Sequence, residues 1–368
     1  MVGKHEGCPS DRGAIPGTWL HTSFDPQSLT GRSSPESATS HTSRTRHIPP
    51  RNCMGVSVVI PAYNAGAFIE DAIASVLRQE ARAEEVIVVN DGSTDRDYRD
   101  LQRLHPTVRV IHQSNRGVSA ARNVGCDAAT SDHIAILDSD DIWLPGKLRG
   151  QMRHLQQNPE IDAAFCLGRQ WTPTPGEREP PLPNPSAQQE SPPATTPLYY
   201  SDFLCSVAVY PSTMVVKRSI WKSLGGFNEG MRYGEDRDFY LRLSHRHRVA
   251  LLNYVGMLYR QHPASATAAI QQRNHWADTI QNAIQTLGLT DQFGRPVDQA
   301  RLKRHLSLVH FMHGYDHFWF GCFRVARREF AQAGRMAPLT PKILAYLALS
   351  CTPGIRRLVR RSRPSRYQ

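Results

Sequence analysis

The sequence predicts an α/β fold in which a mostly parallel sheet is flanked by helices. Between residues 56 and 137, four short runs rich in Val and Ile alternate with segments whose apolar residues recur at helical spacing. Strands that alternate with helices form parallel sheets through right-handed crossovers. Ligands of such sheets bind at the carboxyl ends of the strands. Polar residues follow each run, and we expect them to share one crevice.

The individual elements can be assigned in chain order. The apolar runs predict strands at 56–60, 85–89, 109–111 and 134–137. The helical spacing predicts helices at 66–79, after Asp95 and after Ser119. Further along the chain, we expect a strand at 211–216, a helix at 219–224 and a strand at 251–259.

Composition divides the chain into four parts. Residues 1–53 are rich in Ser, Thr, Pro and Gly and lack a hydrophobic period, which predicts a disordered extension. Residues 54–265 hold the α/β domain, and its proline-rich segment 171–198 is expected to form an irregular surface loop or, alternatively, a mobile lid. Residues 266–350 are expected to be helical, and residues 351–368 form a basic tail.

Two details of these parts are also expectations. Because Met54 stands directly before the first strand, translation beginning there is an open hypothesis, and the intact mass of the native protein would test it. In the helical part, the apolar pattern predicts one helix near Ala283 and two between Leu302 and Ala333, with a break near Gly314.

Charge and cysteine content restrict the partners and the compartment. The formal net charge is +11 and the pI about 9.5, which favours anionic partners such as nucleotides, phosphorylated lipids, nucleic acid or an anionic membrane face. The 7 cysteines form no CxxC pair, so we expect free thiols in a reducing compartment. The sequence shows neither a transmembrane run nor a secretory signal. We therefore expect a cytoplasmic protein, with peripheral attachment to the inner membrane face as an alternative.

An acidic stretch follows the fourth predicted strand. Asp138, Asp140 and Asp141 come directly after the apolar run that ends at Leu137. Like charges this close repel one another and resist burial, so they indicate a bound cation. Carboxylate oxygens suit Mg²⁺ or Mn²⁺, which keep positions open for phosphate oxygens. An acidic turn that caps the next helix is the alternative.

The chain lacks the sequence motifs of several common enzyme classes. No Gly-x-Gly-x-x-Gly follows the first predicted strand, which disfavours a dinucleotide-binding dehydrogenase. The chain also lacks the Gly-x-x-x-x-Gly-Lys-Ser/Thr motif of P-loop NTPases and the strand–turn–helix motif of a serine nucleophile.

The polar motifs together resemble family 2 glycosyltransferases of the GT-A fold. Four of them occur in the family's order, and a fifth lies further along the chain: VSVVIPAYN at 56–64, VNDGSTD at 89–95, NRGVSAARN at 115–123, LDSDD at 137–141, and GGFNE at 225–229 followed by GEDRD at 234–238. The resemblance covers roughly residues 55–265. It implies a Rossmann-like, mostly parallel sheet and inverting sugar transfer from a nucleotide-diphosphate sugar.

The resemblance assigns nucleotide contacts to four residues. Pro61, Tyr63 and Asp91 would hold the nucleobase and ribose, and uracil suits this combination of an aromatic ring and a carboxylate. Arg122 would fix Asp91 or the base. The residues also permit structural roles: Pro61 as a strand terminator, Tyr63 in the core, Asp91 in an Asp-Gly turn and Arg122 on a solvated helix face.

Further positions match the family's metal site. Asp138 would meet the ribose or the metal, and Asp140 would bind the divalent metal, Mg²⁺ or Mn²⁺, that bridges the diphosphate. Asp141 is expected to cap a helix or support a ligand. His262 would contact the metal or diphosphate, and a structural role is its alternative.

The last motif pair supplies the predicted catalytic and sugar-binding residues. The family places the general base at the position of Asp236, whose alternative role is to complement a helix dipole. Glu235 would support Asp236 or bind the acceptor. Gly226 and Phe227 would border the acceptor and the donor sugar.

The sequence therefore predicts an inverting glycosyltransferase that uses a nucleotide-sugar donor, with UDP expected, and a saccharide or glycolipid acceptor. Polysaccharide, lipopolysaccharide or glycolipid assembly is the expected setting, and nucleic acid is not an expected partner. The basic tail would contact an anionic membrane or remain solvated. Two other functions stay open: a sugar nucleotidyltransferase and a non-catalytic module that binds sugar nucleotides or carbohydrate.

Overall fold

A nine-stranded sheet forms the centre of the molecule. The computed structural model describes residues 54–173, 194–263, 265, 270–337, 340–352, 354–355 and 359. The predictions for residues 1–53, and most of those for the proline-rich segment and the basic tail, lie outside these residues. Cys126, Cys166, Cys205 and Cys351 are free thiols, as expected. Cys322 is disulfide-bonded, contrary to the expectation.

The sheet is built from strands in two parts of the chain. In chain order they are β1 (Val56–Ala62), β2 (Glu85–Asp91), β3 (Val108–Gln113), β4 (His133–Ile136), β5 (Ile142–Trp143), β6 (Ala163–Trp171), β7 (Thr195–Leu198), β8 (Val215–Lys217) and β9 (Val249–Arg260). Their order across the sheet is β3-β2-β1-β4-β8-β6-β9-β5, and β7 pairs with β9.

Helices flank the sheet and continue beyond it. They are α1 (Ile69–Leu77), α2 (Arg99–Leu104), α3 (Val118–Ala128), α4 (Lys147–Gln157), α5 (Tyr200–Cys205), α6 (Arg218–Leu224), α7 (Glu235–Arg246), α8 (His275–Leu287), α9 (Gln299–Trp319), α10 (Phe323–Met336) and α11 (Pro341–Cys351). No helix among the described residues is long and apolar enough to span a membrane.

The first half of the sheet is parallel, as the sequence predicts. β1 lies between β2 and β4, and Val59 is in register with Ile87 on one side and Ile136 on the other. All seven residues of β1 are buried, because helices cover both faces. Val59 faces one hydrophobic core, while Val58 and Ile60 face the other. This alternation explains why the strand is apolar at nearly every position.

The second half of the sheet is mixed. β8 runs antiparallel to β4 and β6, β9 is parallel to β6, and both β5 and β7 are antiparallel to β9. The strand predicted at 211–216 is wrong at its start, because Pro211–Thr213 forms a 3₁₀ turn and β8 begins only at Val215. The irregular structure expected across 171–198 does not extend to β7, an edge strand that accommodates Pro197.

The C-terminal helices form a second packed unit. Phe311, Phe318 and Phe330 share one hydrophobic cluster of α9, α10 and α11. The break predicted near Gly314 is wrong, since α9 continues through it to Trp319. A Cβ at position 314 would lie 2.9 Å from the Phe330 ring, so the glycine serves the close approach of α10 rather than a turn.

Candidate active site

Arg122 on α3 joins two acidic segments at the carboxyl edge of the parallel strands. Its Nη2 donates to Asp138 Oδ1 at 2.7 Å, and its Nη1 donates to Glu235 Oε1 at 2.8 Å. Asp138 follows β4 and Glu235 begins α7, so one side chain connects both halves of the predicted site. Arg122 is only 4% exposed, and its charge is therefore well placed to hold two carboxylates in fixed positions.

The carboxylates around Arg122 outnumber the guanidinium. Burial alone would lower the pKa of Arg122, but Asp138 and Glu235 outweigh burial and raise it. Burial, together with the neighbouring charge of Asp236, raises the pKa of Glu235 to about 7 even though Arg122 opposes the shift. Burial also raises the pKa of Asp138. The site thus carries an excess of negative charge that a cation would relieve.

The observed partners of Arg122 differ from the prediction. Arg122 does not bind Asp91, and it does not lie on a solvated helix face. Asp91 instead accepts hydrogen bonds from the Gln113 side chain at 2.7 Å and from the main-chain amides of Arg116 and Gly117 at 2.8 and 2.9 Å. These three bonds fix the loop that leads into α3.

Asp91 keeps limited capacity for a ligand. A carboxylate offers about four acceptor positions, and the loop occupies three of them. The side chain is buried at the end of β2. A nucleobase N–H would therefore use the one remaining position of a group that is already held in place.

The end of β1 is shaped by Asn64. Pro61 is buried within β1, while Tyr63 is 55% exposed and so does not belong to the core. Asn64 has φ 49°, and its Oδ1 accepts from the Thr94 amide at 2.9 Å. Its own amide donates to Ser93 Oγ at 3.0 Å. These bonds connect the ends of β1 and β2 and leave the Tyr63 ring facing open space.

Ser212 organises the acidic turn after β4. Its Oγ accepts from the Asp138 amide at 3.0 Å and donates to Asp141 Oδ2 at 2.6 Å. Asp141 Oδ1 accepts from the Arg260 amide at 3.3 Å. Burial and the charges of Asp140 and Asp138 raise the pKa of Asp141. Asp141 therefore supports the turn from inside, while Asp138 and Asp140 remain partly exposed.

Asp140 and His262 form the best candidate for a metal site. Asp140 Oδ2 and His262 Nε2 lie 3.0 Å apart, and the imidazole packs against Phe68 with ring centroids 4.4 Å apart. At this distance the two side chains share a hydrogen bond. A carboxylate and an imidazole are also ligands that Mn²⁺ and Mg²⁺ can use, so the pair would bind such an ion if the ion replaced the shared proton. No group of three or more such ligands occurs within the described ranges. Substrate oxygens and water would have to complete the coordination.

The turn before α7 places the predicted sugar-binding residues. Asn123 Oδ1 accepts from the Phe227 amide at 2.9 Å, and its Nδ2 donates to the Phe227 carbonyl at 2.9 Å. Gly226 has φ +69°, and a Cβ there would fall 2.6 Å from Asn123 Oδ1. The guanidinium of Arg122 lies 5.2 Å from the centroid of the Phe227 ring. Phe227 is buried, so it shapes the site from beneath.

Asp236 lies at the N-terminus of α7, beside Glu235. Its Oδ1 accepts from the Arg237 amide at 2.7 Å, and the side chain is partly exposed. Its charge acts on Arg122, Asp138 and Glu235, which places it at the acidic centre.

Sequence reasoning gave no role to three supporting residues. Ser212 and Asn123 are small polar residues whose partners come from distant segments, so spacing along the chain could not indicate their roles. Arg260 lies one residue beyond the strand predicted at 251–259 and was given no role. Its position two residues before His262 was the one available signal.

The strand order and the helices that flank the sheet are those of the GT-A fold, with carboxylates at the carboxyl ends of the parallel strands. The sequence profile described as Glycosyl transferase family 2 matches residues 57–221. That part of the chain thus matches glycosyltransferase family 2, as the motifs predict.

Relatives and solved structures agree with this assignment. The glycosyltransferase EpsJ of Bacillus subtilis is 31% identical over 220 residues, which are 58% of this chain and 62% of EpsJ. A chondroitin synthase of Escherichia coli is 28% identical over 240 residues, 64% of this chain and 33% of the synthase. The chain thus spans less than two thirds of these relatives.

The crystal structure of S. aureus TarS 1–349 in complex with UDP-GlcNAc has a similar fold. Its TM-score is 0.57 at 17% sequence identity, over 85% of this chain and 89% of that one.

Proposed function

We propose that the protein transfers a sugar from a nucleotide-diphosphate sugar, with UDP as the nucleotide, to an acceptor hydroxyl with inversion. The observation that carries this proposal is the convergence of Asp138, Glu235 and Asp236 around Arg122, next to the Asp140–His262 pair. The carboxylates around Arg122 are thereby available to take the acceptor proton. The separate Asp140–His262 pair is available to hold a divalent ion at the diphosphate.

Asp236 is the proposed general base. As the acceptor oxygen attacks the anomeric carbon, its proton passes to the Asp236 carboxylate and the bond to the nucleotide diphosphate breaks. Arg122 holds Glu235 beside Asp236, so a second carboxylate adjoins the proposed base. Gly226 and Phe227, which are both buried, would lie beneath the space in which the donor sugar and the acceptor meet.

Asp140 and His262 would hold the divalent ion, and Asp138 would meet the ribose or the same ion. When bound, Mg²⁺ or Mn²⁺ supplies charge neutralisation for the departing diphosphate. Asp138 Oδ1 is held by Arg122, so Oδ2 is the atom of Asp138 available for this contact.

Pro61, Tyr63 and Asp91 are the proposed nucleoside contacts. Tyr63 presents an exposed ring beside the end of β1, and Asp91 retains one acceptor position. The solved complexes of TarS with UDP and UDP-GlcNAc support UDP as the nucleotide. The chondroitin and hyaluronan synthases among the relatives support a saccharide or glycolipid acceptor in polysaccharide assembly.

A nucleotide-release assay with a panel of donor sugars tests this function. We expect the purified protein, supplied with Mn²⁺ and a saccharide acceptor, to release UDP from at least one UDP-sugar. Release of inorganic diphosphate instead would identify a nucleotidyltransferase. Donor binding without turnover across the panel would identify a non-catalytic module.

The outward face of α11 supports a membrane setting at the inner face of the cytoplasmic membrane. Ile343 is buried against α9 and α10, whereas Leu344 and Leu349 are 48% and 39% exposed. The sequence that follows carries the six arginines of the tail: Arg356, Arg357, Arg360, Arg361, Arg363 and Arg366. A short apolar face beside clustered arginines suits the surface of an anionic bilayer.

Vesicle sedimentation tests this contact. We expect the protein to bind phosphatidylglycerol vesicles more strongly than phosphatidylcholine vesicles. Binding should weaken when Leu344 and Leu349 are both changed to Ser. It should not weaken in the control Leu104→Ser, because Leu104 is at least as exposed but lies on α2, away from the basic tail in sequence. Equal binding to both lipids, or equal loss in the control, would contradict the proposal.

A further inference from the structure

Arg260 fastens the acidic turn to the end of β9. Its Nε donates to the Asp140 carbonyl oxygen at 3.0 Å, and its amide donates to Asp141 Oδ1 at 3.3 Å. Two neighbouring residues of the turn are therefore held by one residue, through one side-chain and one main-chain donor. His262 follows two positions later in the chain, so the anchored Arg260 also restricts the main-chain position of His262.

The guanidinium itself is held from three directions. Its Nη2 donates to Asp71 Oδ2 on α1 at 2.9 Å, and its carbon lies 5.0 Å from the Phe68 ring centroid and 4.8 Å from that of Trp171. The side chain is 5% exposed. Such a buried, paired and stacked guanidinium has little freedom to move.

Phe68 connects this cluster to the metal pair. One ring contacts both the Arg260 guanidinium and the His262 imidazole. Asp140 and His262, 122 positions apart in sequence, thus share a support made of Arg260 and Phe68. Groups that orient metal ligands in this way often change metal affinity when they are removed.

We propose that Arg260 is a positioning residue that sets the Asp140–His262 pair for a divalent cation. The inference rests on the metal site of the proposed function. Arg260 is not a ligand, since a guanidinium has no acceptor atom. Its effect should therefore appear as weaker cation binding, while contacts to the nucleobase at the far end of the crevice stay intact.

Titration with Mn²⁺, followed by electron paramagnetic resonance at a fixed UDP concentration, tests the proposal. Arg260→Met should weaken Mn²⁺ binding about 10- to 100-fold relative to wild type. Arg260→Lys should give an intermediate value, because an ammonium can still pair with Asp71 but cannot reproduce the fork of donors. UDP affinity measured without metal should not change in either variant.

Arg242→Met is the matched control. Arg242 also pairs with a carboxylate, Asp238, and donates to two carbonyls, those of Leu224 and Gly226, but it does not contact the acidic turn. Both Met variants should lower the thermal midpoint, and only Arg260→Met should weaken Mn²⁺ binding. Wild-type Mn²⁺ affinity in Arg260→Met, or in Arg260→Lys if the Met variant does not fold, would overturn the inference.

Asp140→Ala separates this inference from the proposed function. If wild type and Asp140→Ala bind Mn²⁺ equally weakly and EDTA leaves activity unchanged, the metal role itself fails. If Asp140→Ala loses Mn²⁺ binding while Arg260→Met keeps it, only the role of Arg260 fails.

Discussion

Asp91 and Asp138 follow strands on either side of β1, yet their surroundings differ. Asp91 accepts two hydrogen bonds from main-chain amides of the loop before α3 and one from the Gln113 side chain at the end of β3. Asp138 shares Arg122 with Glu235 and lies within an excess of negative charge. The proposed nucleobase end of the crevice is thus built by neutral donors, and the acidic end by a balance of charges. Substitutions should affect shape at the first end and electrostatics at the second.

The largest effect is expected from Asp140→Ala. Loss of a proposed metal ligand should remove metal-dependent UDP binding and lower turnover by about 10³-fold, since metal-assisted charge neutralisation contributes several kcal/mol. The fold should remain intact, because removing one of three crowded carboxylates relieves repulsion. Calorimetric titration of UDP with and without Mn²⁺ measures the effect. Full activity of wild type in EDTA, or unchanged turnover of the variant, would refute the metal assignment.

A smaller effect, of a different kind, is expected from Asp91→Ala. The variant should bind UDP about 10- to 100-fold more weakly and should also lose about 1–3 kcal/mol of unfolding free energy, because the amides of Arg116 and Gly117 lose their acceptor. Titration with UDP and chemical denaturation measure the two losses.

Asp91→Asn is the control for that prediction, since it keeps one acceptor oxygen. It should retain more stability than the Ala variant. If wild type binds UDP and other nucleoside diphosphates with equal affinity, the uracil assignment fails even if the stability result holds.

A further effect, on stability rather than on turnover or binding, is a pH dependence at the acidic end. In the unfolded chain Glu235 ionises near pH 4.5, and in the folded protein near pH 7. The folded state therefore holds a proton across this window, so stability relative to Glu235→Gln is greatest below pH 4.5 and falls as pH rises to about 7. The total change should be on the order of 3 kcal/mol at most. Denaturation of both proteins at pH 5 and pH 8 measures it, and a pH-independent difference would contradict the raised pKa.

The parallel half of the fold was predictable because each of its strands is marked by a short run of neighbouring apolar residues. Continuous Val and Ile runs such as 56–60 identify strands buried on both faces, and the polar residues that follow them mark the crevice. The mixed half was less predictable. Thr195–Leu198 pairs with β9 across more than fifty residues, and the break expected at Gly314 is instead a close packing of two helices.

The site shows the same division. Asp138, Asp140 and Asp236 could be named as candidates from motifs, but the ion pairs that Arg122 forms could not. Arg122 faces Glu235, which lies 113 positions away in sequence, and Asp91 is occupied by its own loop. Charge pairing between distant segments depends on how the whole chain folds, and no periodicity in the sequence predicts which residues will pair.

Asp236→Asn tests the central claim most directly, with turnover, UDP affinity and thermal midpoint measured on one sample. General-base catalysis contributes about 10²–10⁴-fold, so turnover should fall by at least about 10²-fold. UDP affinity should stay nearly unchanged, because the base acts on the acceptor proton in the transition state. Asn preserves the size of the side chain, and the thermal midpoint should remain close to that of wild type. A variant with near wild-type turnover would remove Asp236 from the mechanism and make Glu235 the next carboxylate to test.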